Sequence, residues 1–194
     1  MRARGLIAAA IAGVLAIGLA ACTSGDGIAG DYGAGGGTVS SDGAYLELTP
    51  AQRDEPIEFS GPTVDGDELS STDLLGEITV VNFWYAGCPP CRVEASDLAA
   101  LSGELTDVQF VGVNILDDAA VAQAFDDEFG IEYPSILDAK SASVQLAFAG
   151  QVAPNAVPTT IVLDTEGRVA ARISGIIRDP SILRAMITTV QENG

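Results

Sequence analysis

The chain of 194 residues contains no histidine, only three cysteines and a single tryptophan, and its nine Lys and Arg face 27 Asp and Glu. Each scarcity removes a class of function. Without histidine there is no Ser-His or Cys-His nucleophile pair, and a zinc or copper site would lack its usual ligand. Any side-chain proton relay must then use a carboxylate or water. The net charge of -18 repels phosphate backbones and anionic headgroups alike, so no nucleic-acid partner is expected and no basic membrane patch either. The acidity itself reads as solubility rather than as a site.

The N-terminus reads as a targeting segment. Arg2 and Arg4 precede an apolar run from Leu6 to Leu19, shorter than the roughly 20 residues a spanning helix needs. The run ends in Leu19, Ala20, Ala21, Cys22, which is similar to the lipobox of bacterial lipoproteins. That resemblance implies a signal peptide over residues 1–21, lipidation at Cys22, and a location on the extracytoplasmic face of the bacterial cell membrane. Removing Arg2 and Arg4 takes the mature chain from -18 to -20. The alternative is ordinary secretion with a spare thiol. Residues 22–50 are rich in glycine, serine and aspartate, including GAGGG at 33–37, and read as a tether with a reach of roughly 30 Å. They lack the lysine and hydroxyl of a phosphate-binding loop.

A compact domain is expected over 51–194. Its strand candidates are 57–59, a second after the turn in VDGDELS at 64–70, 78–84, 108–115, 134–138, 158–164 and 168–175. STDLLG at 71–76 reads as a capped turn. Helices are expected over 89–101, 117–129, 141–148 and 180–190. The run ITVVNFW at 78–84 is β-branched and aromatic without helical periodicity, hence a buried strand. Pro89 and Pro90 open the following helix, where a missing N–H costs little. Alternating elements followed by a hairpin and a helix point to a mixed sheet covered on both faces.

Cys88 and Cys91 stand as C-x-x-C, close enough for a disulfide. Closing so short a loop stabilises little, which argues against a staple. A metal clip would need two further ligands, so no metal and no cofactor are expected. The redox alternative has local support. Cys88 sits at the mouth of a helix whose free N–H groups favour a thiolate, which makes it the exposed nucleophile, with Cys91 one turn in as the buried resolving thiol.

This stretch resembles the thioredoxin-like superfamily, and within it the TlpA/ResA-like thiol–disulfide oxidoreductases. The resemblance runs through VVNFWYAGCPPCRVE (80–94), GVNILDD (112–118), FGIEYPSILD (129–138) and AVPTTIVLDTEGRV (156–169). It implies an α/β thioredoxin-like fold: a central mixed sheet flanked by helices, with an N-terminal β extension and a helix and strand inserted over about 117–137. It also implies that Pro158 is a cis-proline beside the disulfide, leaving the backbone of Val157 free for a substrate strand. Glu94 matches the glutamate of C-x-x-C-x-x-E and is a candidate for proton transfer. Asn82 stands where cytosolic thioredoxins carry an aspartate, and Trp84 matches the tryptophan on the strand leading to the site. The chain departs from many relatives at Gly87, where they have tryptophan.

The resemblance implies a tethered enzyme reducing disulfides of exported proteins, with cytochrome c maturation as one setting. Its partners would be exported protein thiols or disulfides and a membrane donor such as a transmembrane thiol carrier. A redox-silent lipoprotein using the fold for binding or chaperoning is the alternative. A peroxidase is a third, but the threonine and arginine that usually accompany a peroxide-reducing cysteine are not evident around Cys88.

Overall fold

A computed structural model describes residues 37–151 and 156–193. The expected signal peptide, Cys22 and most of the tether lie outside them. Nine strands occur among the described residues: β1 (Thr38–Val39), β2 (Tyr45–Glu47), β3 (Ser60–Pro62), β4 (Glu68–Ser70), β5 (Ile78–Trp84), β6 (Val108–Asn114), β7 (Ser135–Leu137), β8 (Thr159–Leu163) and β9 (Val169–Ser174). The helices are α1 (Pro89–Glu104), α2 (Ala119–Phe129), α3 (Ser143–Ala147) and α4 (Pro180–Asn193), with 3-10 turns at Pro50–Gln52 and Ser71–Leu74. Seven strands form one sheet in the order β1-β2-β9-β8-β5-β6-β7, while β3 and β4 pair separately.

β5 is the axis of the sheet. It runs parallel to β6 and antiparallel to β8, and all seven of its residues are buried. The two-residue period of a strand sorts them. Ile78 and Val80 join a core layer with Leu98 and Leu101 of α1 and Leu183, Ile187 and Val190 of α4. Val81 and Phe83 join the opposite layer with Phe59, Val144, Phe148 and Ile161. The expected mixed sheet with a helix layer on it is present, and its C-terminal edge delivers Trp84 to the start of α1.

Two expectations need correction. The tether was expected to run to residue 50, yet β2 pairs with β9 in the register Tyr45 to Ile173, Leu46 to Arg172 and Glu47 to Ala171. Strands of two and three residues carry too little alternation to stand out in a glycine-rich stretch. Residues 57–59 were expected as a strand, but their backbone is spent elsewhere. The Ile57 N–H donates to Gly167 O at 2.9 Å, the Phe59 N–H to Ser71 Oγ at 3.2 Å, and the strand begins only at Ser60. A buried ion pair, Arg53 to Asp164 at 3.0 Å, fastens this region to the β8–β9 turn.

Candidate active site

Cys88 and Cys91 are joined by a disulfide, with Cα atoms 5.3 Å apart. Cys88 is the N-cap of α1, and its Sγ accepts the Cys91 N–H at 3.2 Å. This is the electropositive end of a 16-residue helix, where N–H groups unused by the helix stabilise negative charge on sulfur.

The loop ahead of the pair is held from β6. Asn114 Oδ1 accepts the N–H groups of Leu116 and Asp117 at 3.1 and 2.7 Å. That turn aims Asp117 Oδ2 at the Ala86 N–H, 2.6 Å away, and Asn114 Nδ2 donates to the same oxygen at 2.9 Å. Asp117 was not singled out from the sequence. Its signal was the Asn-x-x-Asp spacing at the end of β6, which has no meaning until β6 is placed beside β5.

Trp84 packs against Phe125 of α2 with ring centroids 4.3 Å apart. The neighbouring strand must be bare to admit it: a Cβ on Gly112 would stand 2.8 Å from Trp84 Nε1 and 2.2 Å from Ser135 Oγ. The Val157–Pro158 bond is cis, as the resemblance implied, Pro158 is buried, and Val157 packs against the cluster of Trp84, Cys88 and Cys91. Pro89 and Pro90 occupy the first turn of α1.

Glu94 is 1% exposed. One carboxylate oxygen, Oε1, accepts from Asn82 Nδ2 at 3.1 Å, and Oε2 accepts from the Ile177 N–H at 2.8 Å. Asn82 Nδ2 also donates to Thr160 Oγ1 at 3.0 Å. Burial raises the Glu94 pKa to about 7, a rise that the two hydrogen bonds restrain. A carboxyl one turn beyond Cys91 is thus poised to change protonation at neutral pH.

One expectation about the pair fails. Cys88 was to be the exposed member, but both cysteines are 2% exposed. Cys88 is enclosed in a cluster with Trp84, Ala95, Ala122 and Phe125, edged by Val64, Tyr85, Ala86 and Val157. Exposure falls on its neighbours Gly87 and Pro89 instead. A Cβ on Gly87 would meet only the Tyr85 ring, at 3.4 Å.

The sequence pattern described as AhpC/TSA family matches residues 53–172. The chain belongs to that family. The thiol:disulfide interchange protein HelX of Rhodobacter capsulatus is 33% identical over 137 residues, 70% of each chain. The thiol-disulfide oxidoreductase ResA of Bacillus subtilis is 28% identical over 61% of this chain and 64% of its own length. Among solved structures, a DsbF homologue from Corynebacterium diphtheriae superposes with a TM-score of 0.68 at 32% identity, covering 78% of this chain and 97% of that one. A secreted thiol-disulfide isomerase from Corynebacterium glutamicum gives 0.67 at 29% identity, over 80% and 99%. The family member described here is a thiol–disulfide oxidoreductase of thioredoxin-like fold. Among its described residues no helix is long and apolar enough to cross a membrane.

Proposed function

We propose that this oxidoreductase is lipid-anchored through Cys22 and reduces disulfides of exported proteins, with Cys88 as nucleophile and Cys91 as resolving thiol. The observation carrying the assignment is that Cys88, not Cys91, caps α1 and takes the Cys91 N–H. In the reduced enzyme the Cys88 thiolate attacks a substrate disulfide, forming a mixed disulfide and releasing one substrate thiolate. The Cys91 thiolate then attacks Cys88 Sγ. The internal disulfide reforms, the second substrate thiolate leaves, and two electrons have passed to the substrate. The proton Cys91 gives up passes to Glu94 and from there to a leaving thiolate. Val157, which packs against the cluster holding the pair and precedes cis-Pro158, would offer its backbone to a substrate strand.

The lipobox-like sequence supports the anchor, and a transmembrane thiol carrier is the class of donor that would return electrons. The resemblance to ResA-like proteins favours the reducing direction, with cytochrome c maturation as the setting. A Cys91→Ser variant tests the roles: it accumulates mixed disulfides with exported proteins through Cys88. A potential at the strongly oxidising end, measured by equilibration with glutathione, sinks the reducing direction.

The sealing of both sulfurs favours one second reading, a redox-silent lipoprotein that uses this fold for binding or chaperoning. Failure of the Cys91→Ser variant to trap any exported protein selects that reading.

A further inference from the structure

Arg92 is the one cation of α1, and it grips both carbonyls that flank Gly87. Its backbone N–H donates to Cys88 O at 3.1 Å, and its side-chain Nη1 donates to Ala86 O at 3.4 Å. Asp117 already takes the Ala86 N–H at 2.6 Å, so residue 86 is held by an acid on one side and a base on the other. Nothing but the Tyr85 ring stands over Gly87 between them.

The same arginine belongs to the wall of the couple. Residues four apart on a helix have Cβ atoms about 5–6 Å apart, so Arg92 shares a helix face with Cys88, the N-cap of α1. Its guanidinium lies 5.8 Å from the ring centroid of Phe125 and 4.9 Å from that of Phe129, and Phe125 packs in the cluster that encloses Cys88. The other charged groups around that cluster are acids: Asp117 on Ala86, Asp118 at the N-cap of α2, Asp126 after Phe125, Glu94 one turn beyond Cys91, and Asp65 after Val64 at the cluster's edge. The phenols of Tyr85 and Tyr133 also border the site, Tyr85 at the cluster's edge and Tyr133 in a small cavity beside Cys91. Glu128 of α2 accepts from Arg92 Nη2 at 2.5 Å, the two side chains being 39% and 53% exposed. An acid so placed cancels part of the field of the guanidinium while keeping it where it is.

We infer that Arg92 supplies the positive charge that steadies the Cys88 thiolate in the reduced enzyme, and that Glu128 of α2 limits this effect by sharing the guanidinium. The start of α1 favours the thiolate by itself. The surrounding acids oppose it, and a cation on the same helix face offsets that opposition. Both members of the pair are half-exposed, so solvent screens them and the effect is a fraction of what a buried charge would exert. Arg92 acts through Cys88 and is a positioning residue for the charge that develops there. The inference rests on Cys88 being the nucleophile of a working redox couple.

The test reads the Cys88 thiol pKa in the reduced full-length protein, from its rate of alkylation by iodoacetamide between pH 4 and 10, with the modified cysteine identified by peptide mass spectrometry. Arg92→Met, which keeps an apolar stem on the two rings, raises that pKa by about 0.5, and Arg92→Lys, which keeps the charge, returns most of the shift. Glu128→Gln, which keeps an oxygen for Arg92 Nη2, lowers it by about 0.3. The opposite signs carry the inference, because a pair that merely braced α1 against α2 would move Cys88 the same way when weakened from either end. Shifts of the same sign overturn the inference, and so does a thiol pKa that none of the substitutions moves. Should Arg92→Met fail to fold, the sign of the Glu128→Gln shift decides alone. If Cys88 of the unsubstituted protein is not alkylated and forms no mixed disulfide, the redox assignment itself has failed and the inference falls with it.

Discussion

Asn82 and Glu94 are hydrogen-bonded across the β5–α1 interface at 3.1 Å, and both are buried. The amide sits where a carboxylate would compete with Glu94 for the same proton. By donating instead, it lets one carboxyl carry the titration behind Cys91, while its second bond, to Thr160, fixes it to β8.

Asn82→Asp removes that division of labour. Two carboxyls about 3 Å apart in a buried site share a proton, and one of the pair ionises only well above its ordinary range. Carbon-detected NMR of the side-chain carboxyls should show two coupled steps, one of them above pH 7. A single unperturbed step counts against this description of the site.

Glu94→Gln removes an acid whose pKa in the folded protein, about 7, exceeds its ordinary 4.5. The folded state thus binds the extra proton between those values. The associated stability is fully present below about pH 4.5 and is lost as pH rises to about 7, a loss on the order of 3 kcal/mol for the full shift. Urea unfolding from pH 4.5 to 8 should show the variant losing less stability than the unsubstituted protein over that interval. Its exchange rate should also lose one inflection near pH 7.

Asp117→Ala releases the Ala86 N–H and Asn114 Nδ2 together. Leaving those groups without their charged acceptor costs about 1–3 kcal/mol, and the loop before Cys88 loses its registration with α1. Slower exchange accompanies a lowered urea midpoint, and Asp117→Asn, which keeps an acceptor oxygen, recovers part of both. Equal rates in all three proteins would remove Asp117 from the site.

Gly87→Trp introduces the residue that the resemblance to TlpA/ResA-like proteins leads one to expect before the first cysteine. The space above Gly87 is open apart from Tyr85, so stability should change by no more than about 0.5 kcal/mol. Exchange with a peptide disulfide flanked by apolar residues should quicken, because the ring adds a flat apolar face beside Cys88. Competition between apolar and acidic peptide disulfides measures the change.

Much of this architecture was legible before any coordinates. A seven-residue apolar strand, two prolines at a helix start and the C-x-x-C pair are local signals, and each led to the correct element. β1 and β2 were not legible because a strand of two or three residues is specified by its neighbour, here β9, rather than by its own pattern. The grip of Asp117 on Ala86 spans 31 positions and exists only once β6 lies beside β5. Arg92 looked like an ordinary solvated helix residue, since only the packing of α2 beside α1 brings Phe125, Phe129 and Glu128 to it.

The enclosure of both sulfurs bears on which thiols can reach them. With each cysteine 2% exposed, the S–S bond offers a small thiol arriving from solvent little surface to attack, whereas a docking polypeptide can spend binding energy on parting Tyr85, Ala86 and Val157. The oxidised couple should therefore exchange more slowly with low-molecular-weight thiols than with proteins that dock on it, so that equilibration with glutathione needs a correspondingly long incubation while a bound polypeptide sets the redox state within its own dwell time.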